Sequence, residues 1–218
     1  KFFSDSINKP MYDRSLLAQY APGSPFKIVQ GLVGLQEGII TPTTSFRCYH
    51  GYRYGKGSKD FMGCHCGIFG QPIQLRKGLA RSCNSYFSNV YRRIIEKYST
   101  ASEGMNVWSK HMRSFGLGQY LGYDLPQGSK GLIPDAALYN RWYPNGQWRA
   151  SYTISNAIGQ GQILTTPIQL ANMTAAVANR GYFYTPHILK GTSNNTSIDP
   201  LYTTIHNTTV NPKYFPPV

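Results

Sequence analysis

Ser24 and Lys27 stand three positions apart in the run Pro22-Gly23-Ser24-Pro25-Phe26-Lys27. The run reads as the opening of a helix. Ala21-Pro22-Gly23 makes a turn, Ser24 fits the N-cap and Pro25 the first helical position, and apolar residues at 28, 29, 32, 33 and 35 form a stripe that stops at Gly38. Side chains at that spacing share one helix face. A serine hydroxyl needs a nearby base to attack at neutral pH, and a lysine can be that base only if its pKa falls well below about 10.4. Burial beside Phe26, Ile28 and other cationic groups is one source of such a shift. The helix N-terminus adds N–H groups and partial positive charge suited to an oxyanion. The plain alternative is a capping serine beside a solvated lysine. Ser6-Ile7-Asn8-Lys9 repeats the spacing, but Pro10 disfavours helical backbone at Lys9.

A second element, Ser82-Cys83-Asn84, lies between two predicted helices, where a hydroxyl and an amide can relay protons and hold a substrate amide. The pattern is short, and Ser6-Ile7-Asn8 and Ser193-Asn194-Asn195 match it too. Around these elements, periodicity predicts helices over Ile73–Arg81, Asn84–Tyr98, Ala101–Phe115 and Ile168–Asn179, the last stopped by Arg180-Gly181. Tyr182-Phe183-Tyr184 reads as a strand start. Arg47–Gly70 is too irregular for a long helix, and Gly116–Ser151 reads as turns, with Pro126, Gly128, Gly131, Pro134, Pro144 and Gly146. The polar stretch after Gly191, with Asn194, Asn195 and Thr196, reads as a loop.

Composition sets the outer bounds. The chain has 218 residues, 41% apolar and 14% aromatic, which excludes global disorder and suits one domain. It carries 22 Lys+Arg against 9 Asp+Glu, a formal charge of +13. The basic residues are scattered rather than grouped, so attraction to an anionic surface or polymer is expected and no nucleic-acid partner. No apolar run of about 18 residues spans a bilayer, and Lys1-Phe2-Phe3-Ser4-Asp5 opens no signal peptide. A targeting or anchoring segment upstream of Lys1 stays open.

Taken together, Pro22–Lys27 and Ser82-Cys83-Asn84-Ser85-Tyr86-Phe87 resemble the first two motifs of penicillin-binding transpeptidases. The likeness continues through Phe115-Gly116-Leu117-Gly118, Tyr123-Asp124-Leu125-Pro126 and Gly131-Leu132-Ile133-Pro134. It is strongest in Ser155-Asn156-Ala157-Ile158-Gly159-Gln160-Gly161 and the following Thr165-Thr166-Pro167-Ile168-Gln169-Leu170-Ala171. The sequence is most similar to the class B, elongation-type members. The resemblance implies an α+β fold shared with serine β-lactamases, helices packed on both sides of a five-stranded antiparallel sheet, with residues 1–218 a helix-rich part of one transpeptidase domain.

The resemblance also implies roles. Ser24 attacks the D-Ala-D-Ala bond of a peptidoglycan stem peptide, Lys27 is its base, Ser82 and Asn84 complete the proton path and hold the substrate, and the Ser24 N–H is half of an oxyanion hole. A second stem peptide then accepts the acyl group, and β-lactams acylate the same serine. The implied setting is the bacterial inner membrane facing the periplasm, with the elongation machinery and a glycosyltransferase as partners. One departure stands out. No Lys-Ser-Gly or Lys-Thr-Gly occurs, and Lys190-Gly191-Thr192 has the wrong order. The expected consequence is a truncated domain lacking C-terminal sheet strands and impaired in activity, since losing one oxyanion donor costs on the order of 10²–10³ in rate. Two rivals remain: a serine β-lactamase or β-lactam-sensor domain, and a non-enzymatic zinc-stabilised binding module.

Cys48, Cys64, Cys66 and Cys83 are the only cysteines, with His50 and His65 interleaved. Four soft ligands converging from a Gly-rich loop onto a helix start suit a structural tetrahedral Zn²⁺, with His65 as substitute ligand. Two disulfides, in a domain facing the periplasm, or free thiols are the alternatives. A metal here would pin Ser82 and Asn84 through Cys83. His111, His187 and His206 lack acidic or cysteine neighbours in sequence and read as surface or hydrogen-bonded core residues; Trp108, Trp142 and Trp148 read as packing.

Overall fold

The helix that begins after the nucleophile candidate is the axis of the molecule. In the computed structural model, which describes residues 3–143, 146–191 and 198–218, α1 runs Phe26–Gln36 and is buried on nearly every side. The sequence suggested one apolar stripe. The structure buries Val29, Leu32, Val33 and Leu35, and also Lys27, Gln30, Gly31 and Gly34. Gln30 is accommodated because its Oε1 accepts the Trp108 indole N–H at 2.9 Å. Gly34 lets Val90 approach so closely that an added Cβ would lie 2.7 Å from its Cγ1.

Packed around α1 are α2 (Leu75–Ala80), α3 (Asn84–Glu96), α4 (Ala101–Arg113) and a 3₁₀ segment over Ala150–Ile158. The α2, α3 and α4 spans match the expected helices to within a few residues. Thr100 caps α4 by accepting the Glu103 N–H. α6 (Pro167–Ala178) begins with a reciprocal Thr166/Gln169 capping box and ends at Arg180 and Gly181, both with positive φ.

Three regions differ from the sequence reading. Arg47–Gly70 is two nested hairpins: β1 (Phe46–Tyr49) pairs antiparallel with β4 (Phe69–Ile73), and between them β2 (Gly51–Arg53) pairs with β3 (Phe61–Gly63). Its strands are too short, and too rich in glycine, for a period-2 pattern to show. Inside the turn-rich Gly116–Ser151 stretch lies α5 (Ala136–Trp142), seven residues capped by Asp135 and masked by flanking proline and glycine. The expected strand β5 (Tyr182–Tyr184) finds an unforeseen partner in β6 (Ile205–Asn207), past a short α7 (Pro200–Thr203). The loop expected at Asn194, Asn195 and Thr196, and the Ser193-Asn194-Asn195 match, lie outside the described residues, as do Pro144 and Thr192.

The result is helix-rich α+β. Among the described residues the named strands form three two-stranded antiparallel sheets rather than one of five strands. No helix among them is long and apolar enough to cross a membrane. Trp108 and Trp148 are core residues, whereas Trp142 is half exposed.

Candidate active site

Ser24 does not cap α1. The helix starts one residue later than expected, Pro25 takes the cap position with no side-chain bond, and the Ser24 hydroxyl is free for other partners. It has two. Lys27 Nζ lies 3.2 Å from Ser24 Oγ, and the Ser82 hydroxyl donates to Ser24 Oγ at 2.8 Å. Ser82 reaches it because the chain reverses sharply between α2 and α3. Its φ is +49°, in the left-handed region where a side chain costs about 1–2 kcal/mol. The reversal is held by Ser82 N–H to Leu79 O at 2.9 Å and Cys83 N–H to Gly78 O at 2.8 Å. A serine where helix ends prefer glycine is a local cost that delivers a hydroxyl to the nucleophile.

Lys27 is the hub. Only 2% exposed, its Nζ also lies 2.9 Å from Ser82 Oγ, 2.8 Å from Ser82 O and 2.6 Å from Asn84 Oδ1. Among the described residues no carboxylate pairs with it. Burial pushes its pKa below the usual lysine value, and the nearby sulfurs of Cys64, Cys83 and Cys66 oppose that shift. The decoy pair Ser6/Lys9 is exposed, with Lys9 at a positive φ of +45°.

Asn84 opens α3 and is fixed from the hairpin side. Its Nδ2 donates to Gly63 O at 2.8 Å and its N–H points at Cys64 Sγ, 3.2 Å away, leaving Oδ1 for Lys27. The Ser24 N–H finds no acceptor among the described residues, while the preceding Gly23 N–H donates to Gly159 O at 2.8 Å. Gly159, at φ +70°, backs the serine turn, and a Cβ there would lie 2.4 Å from Gly23 O and 2.7 Å from the Phe26 Cβ. The sequence reading quoted this glycine within Ser155–Gly161 without a role. Its role depends on a contact that local spacing does not reveal. A cavity of about 570 Å³ opens onto Ser24, Lys27 and Ser82.

Beneath this site the four cysteines converge. Cys48 sits where the β1–β4 register shifts and turns inward, Cys64 and Cys66 follow β3, and Cys83 is the N-cap of α3. Their sulfurs all lie within 4.8 Å of one another, all four are buried, and none is disulfide-bonded, so the disulfide alternative is not realised. Cys64 and Cys83 sulfurs are 3.7 Å apart, close to the roughly 3.8 Å edge of a tetrahedron with 2.3 Å zinc–sulfur bonds. Hydrogen bonding with Cys83 holds the Cys64 thiol down at about 4, and burial pushes Cys48 up to about 11. The four sulfurs therefore fit a metal ion. His65 does not join them: it is exposed between two buried cysteines, so its side chain lies on the opposite, solvent side of the chain. His50 is exposed too, its ring 4.7 Å from Phe69.

A serine–lysine site at a helix start, completed by a serine and an amide from the next helix in a helix-rich α+β fold, is the class of arrangement described. The penicillin binding protein transpeptidase domain family matches residues 2–215. Peptidoglycan D,D-transpeptidase MrdA of Acinetobacter baumannii is 35% identical over 192 residues, 86% of this chain and 26% of that protein. The PBP2 crystal structure from Pseudomonas aeruginosa superposes with a TM-score of 0.81 at 28% identity, covering 98% of this chain and 46% of that one. Helicobacter pylori PBP2, solved in complex with MreC, gives 0.72 at 28% identity, covering 97% and 35%. The chain belongs to the penicillin-binding protein transpeptidase family, and it spans about a quarter of the MrdA relative's length.

Proposed function

We propose that this chain carries the serine–lysine core of a peptidoglycan D,D-transpeptidase. Ser24 Oγ forms a bond to the carbonyl carbon of the penultimate D-alanine of a stem peptide, and the Ser24 proton passes to Lys27 Nζ. That proton then travels through Ser82 to the leaving nitrogen, the peptide bond breaks and free D-alanine departs. The amine of a second stem peptide attacks the acyl-serine, returns the hydroxyl proton to Ser24 and closes the cross-link. β-Lactams acylate the same oxygen. The observation that carries this reading is Lys27: buried, without a carboxylate, and within hydrogen-bond reach of Ser24, Ser82 and Asn84. The unpartnered Ser24 N–H supports its place in an oxyanion hole.

The relatives' names support the same reaction; one structural relative solved with MreC, and another within a peptidoglycan synthase complex that coordinates polymerization and crosslinking, support elongation partners that include a glycosyltransferase. We place the protein at the periplasmic face of the inner membrane on the same grounds. Cys48, Cys64, Cys66 and Cys83 would hold a structural Zn²⁺, which supplies no reaction chemistry and fastens the β3–β4 connection to the start of α3. Zinc content per chain, and melting with and without a chelator, test this. One metal per chain and a Tm that falls on chelation are expected; a metal-free chain with unchanged melting overturns it.

Intact-mass spectrometry after incubation with a β-lactam, with Ser24→Ala as control, tests the reaction. An adduct on Ser24, absent from the variant, is expected. Its absence, both here and in a longer chain with a Lys-Ser-Gly or Lys-Thr-Gly element, would overturn the assignment. A slow loss of the adduct separates a transpeptidase from a β-lactamase.

A further inference from the structure

The surface next to the nucleophile carries positive charge that no ion pair compensates among the described residues. α2 presents Arg76 and Ala80 on one exposed face with Lys77, and Arg81 follows at its end. Among the described residues none of these three cations has a hydrogen-bond or ion-pair partner. Val218, the last residue of the chain, lines the same cavity but makes no ion pair among the described residues, and the side-chain carboxylates lie elsewhere. Glu37, Glu96 and Asp135 hold Lys97, His111, Arg92 and Arg113. Asp5, Asp60, Asp124 and Asp199 accept N–H groups of their own loops or of the segment at Ile188. Asp13 is bonded to Ser15, and Glu103 lies in the first turn of α4.

Exposed arginines are ordinary in a chain of charge +13; the position of Arg76 is not. It lines the cavity of about 570 Å³ that holds Ser24 and Lys27. It also lines a neighbouring hollow of about 540 Å³, formed with Pro72, Gln74, Lys77 and Ala80. A peptide that left Ser24 along α2 would pass Arg76, which lines both hollows, and then Lys77, which lines the second. A guanidinium presents a planar fork of N–H donors that a carboxylate can fill with both oxygens.

We propose that the hollow formed by Pro72, Gln74, Arg76, Lys77 and Ala80 is a subsite for a carboxylate on the peptide that Ser24 acts on, distinct from the peptide's terminal carboxylate, with Arg76 as the residue that reads it. The inference rests on the transpeptidase reading and deepens it, since it selects acidic peptide substrates over amidated ones. No bond is made or broken in the hollow. Its contribution is binding and alignment of the peptide along α2.

The test uses two fluorescent peptides ending in D-Ala-D-Ala, identical except that the residue before them carries a free side-chain carboxylate in one and its amide in the other. Fluorescence anisotropy at low salt gives the two Kd values for the wild type, Arg76→Ala, Arg76→Lys and Lys77→Ala, with circular dichroism to confirm that each variant is folded. A preference of about ten- to a hundredfold for the free acid is expected, the range of a charge-assisted pair. It should vanish in Arg76→Ala, survive in part in Arg76→Lys, and shrink in Lys77→Ala. Equal affinities in the wild type, or a full preference in folded Arg76→Ala, overturn the proposal. So does an acidic peptide without D-Ala-D-Ala that binds equally well, since that would mean general attraction only. If neither peptide binds but a β-lactam still acylates Ser24, the subsite falls alone; if that adduct is missing too, the transpeptidase reading falls with it.

Discussion

The two ends of α1 each bury a charged side chain, and they treat it in opposite ways. At the N-terminal end Lys27 bonds to neutral oxygens, those of Ser24, Ser82 and Asn84, and burial lowers its pKa against the opposing pull of the Cys64, Cys83 and Cys66 sulfurs. At the C-terminal end Glu37 would be pushed up by burial. The Lys97 ammonium at 2.8 Å, the Tyr98 hydroxyl at 2.6 Å and His111 Nε2 at 2.8 Å overcome that and hold it at about 2. A carboxylate at a helix C-terminus also opposes the helix dipole, so its cations matter more. A buried charge with no carboxylate bonded to it gives up its charge more readily, which suits a base. A buried charge enclosed by partners keeps it, which suits a clamp. Glu37 ties α1 to Lys97 and to α4, and His111 extends the tie to Thr209 at 2.6 Å.

Removing the charge that has no carboxylate partner should have the largest effect. Lys27→Met is expected to slow acylation of Ser24 by about 10³–10⁴-fold, the upper range for a positioned general base, with near-normal folding. Stopped-flow or mass-resolved acylation kinetics measure it, and a variant within threefold of the wild type (roughly 0.7 kcal/mol of barrier) would remove Lys27 from the reaction.

Displacing the nucleophile without touching the lysine comes next. Gly159→Ala drives a Cβ into the Gly23 carbonyl and strains a positive φ. A shift of the serine turn by about an ångström should cost about 10²-fold in acylation. The same kinetics check it, with a melting curve to separate misplacement from unfolding.

Giving Lys27 a counterion would make the N-terminal end resemble the C-terminal one. Asn84→Asp places a carboxylate where Oδ1 now lies 2.6 Å from Nζ. It should raise the lysine pKa, because a carboxylate beside the ammonium favours its charged form. Acylation needs the free base, so its rising limb should move to higher pH by the same amount and the neutral-pH rate should drop. An unmoved limb in the pH–rate profile would show that Lys27 does not control it.

The smallest effect is expected at the clamp. Glu37→Gln should cost about 1–3 kcal/mol of stability and leave acylation within a few-fold. The sign of the pH dependence follows from the depressed pKa. Glu37 stabilises the fold above its unfolded value near 4.5, and that contribution fades as pH falls toward about 2. Chemical denaturation across the acid range should therefore show a shallower loss in Glu37→Gln than in the wild type.

Local pattern made much of the active site legible. The helix around Lys27 and the break at Ser82-Cys83-Asn84 are set by short-range preferences for proline, glycine and apolar spacing, so α1, α2 and α3 stand where periodicity puts them. The four cysteines were readable as candidate ligands, but Cys48 and Cys83 stand far apart in sequence, and it is the nested hairpins and the start of α3 that bring their sulfurs together. Other features depend on neighbours far along the chain. His111 has no acidic neighbour in sequence, yet it pairs with Glu37, 74 residues away. His65 stands between two ligand candidates and is turned out to solvent.

By itself, then, the sequence determined residue chemistry and the local elements: a serine and a lysine one turn apart, a serine and an amide at a helix start, and four thiols of a kind that can ligate a metal. Only the tertiary structure decided that Ser24 leaves the cap to face Ser82, that Lys27 is sealed without a carboxylate, and that Gly159 braces the turn. It also decided that Arg76, without an ion pair among the described residues, lines the cavity that holds Ser24. The physical reason is that burial, charge compensation and close backbone approach are sums over neighbours brought together by folding, and no short window of sequence contains them.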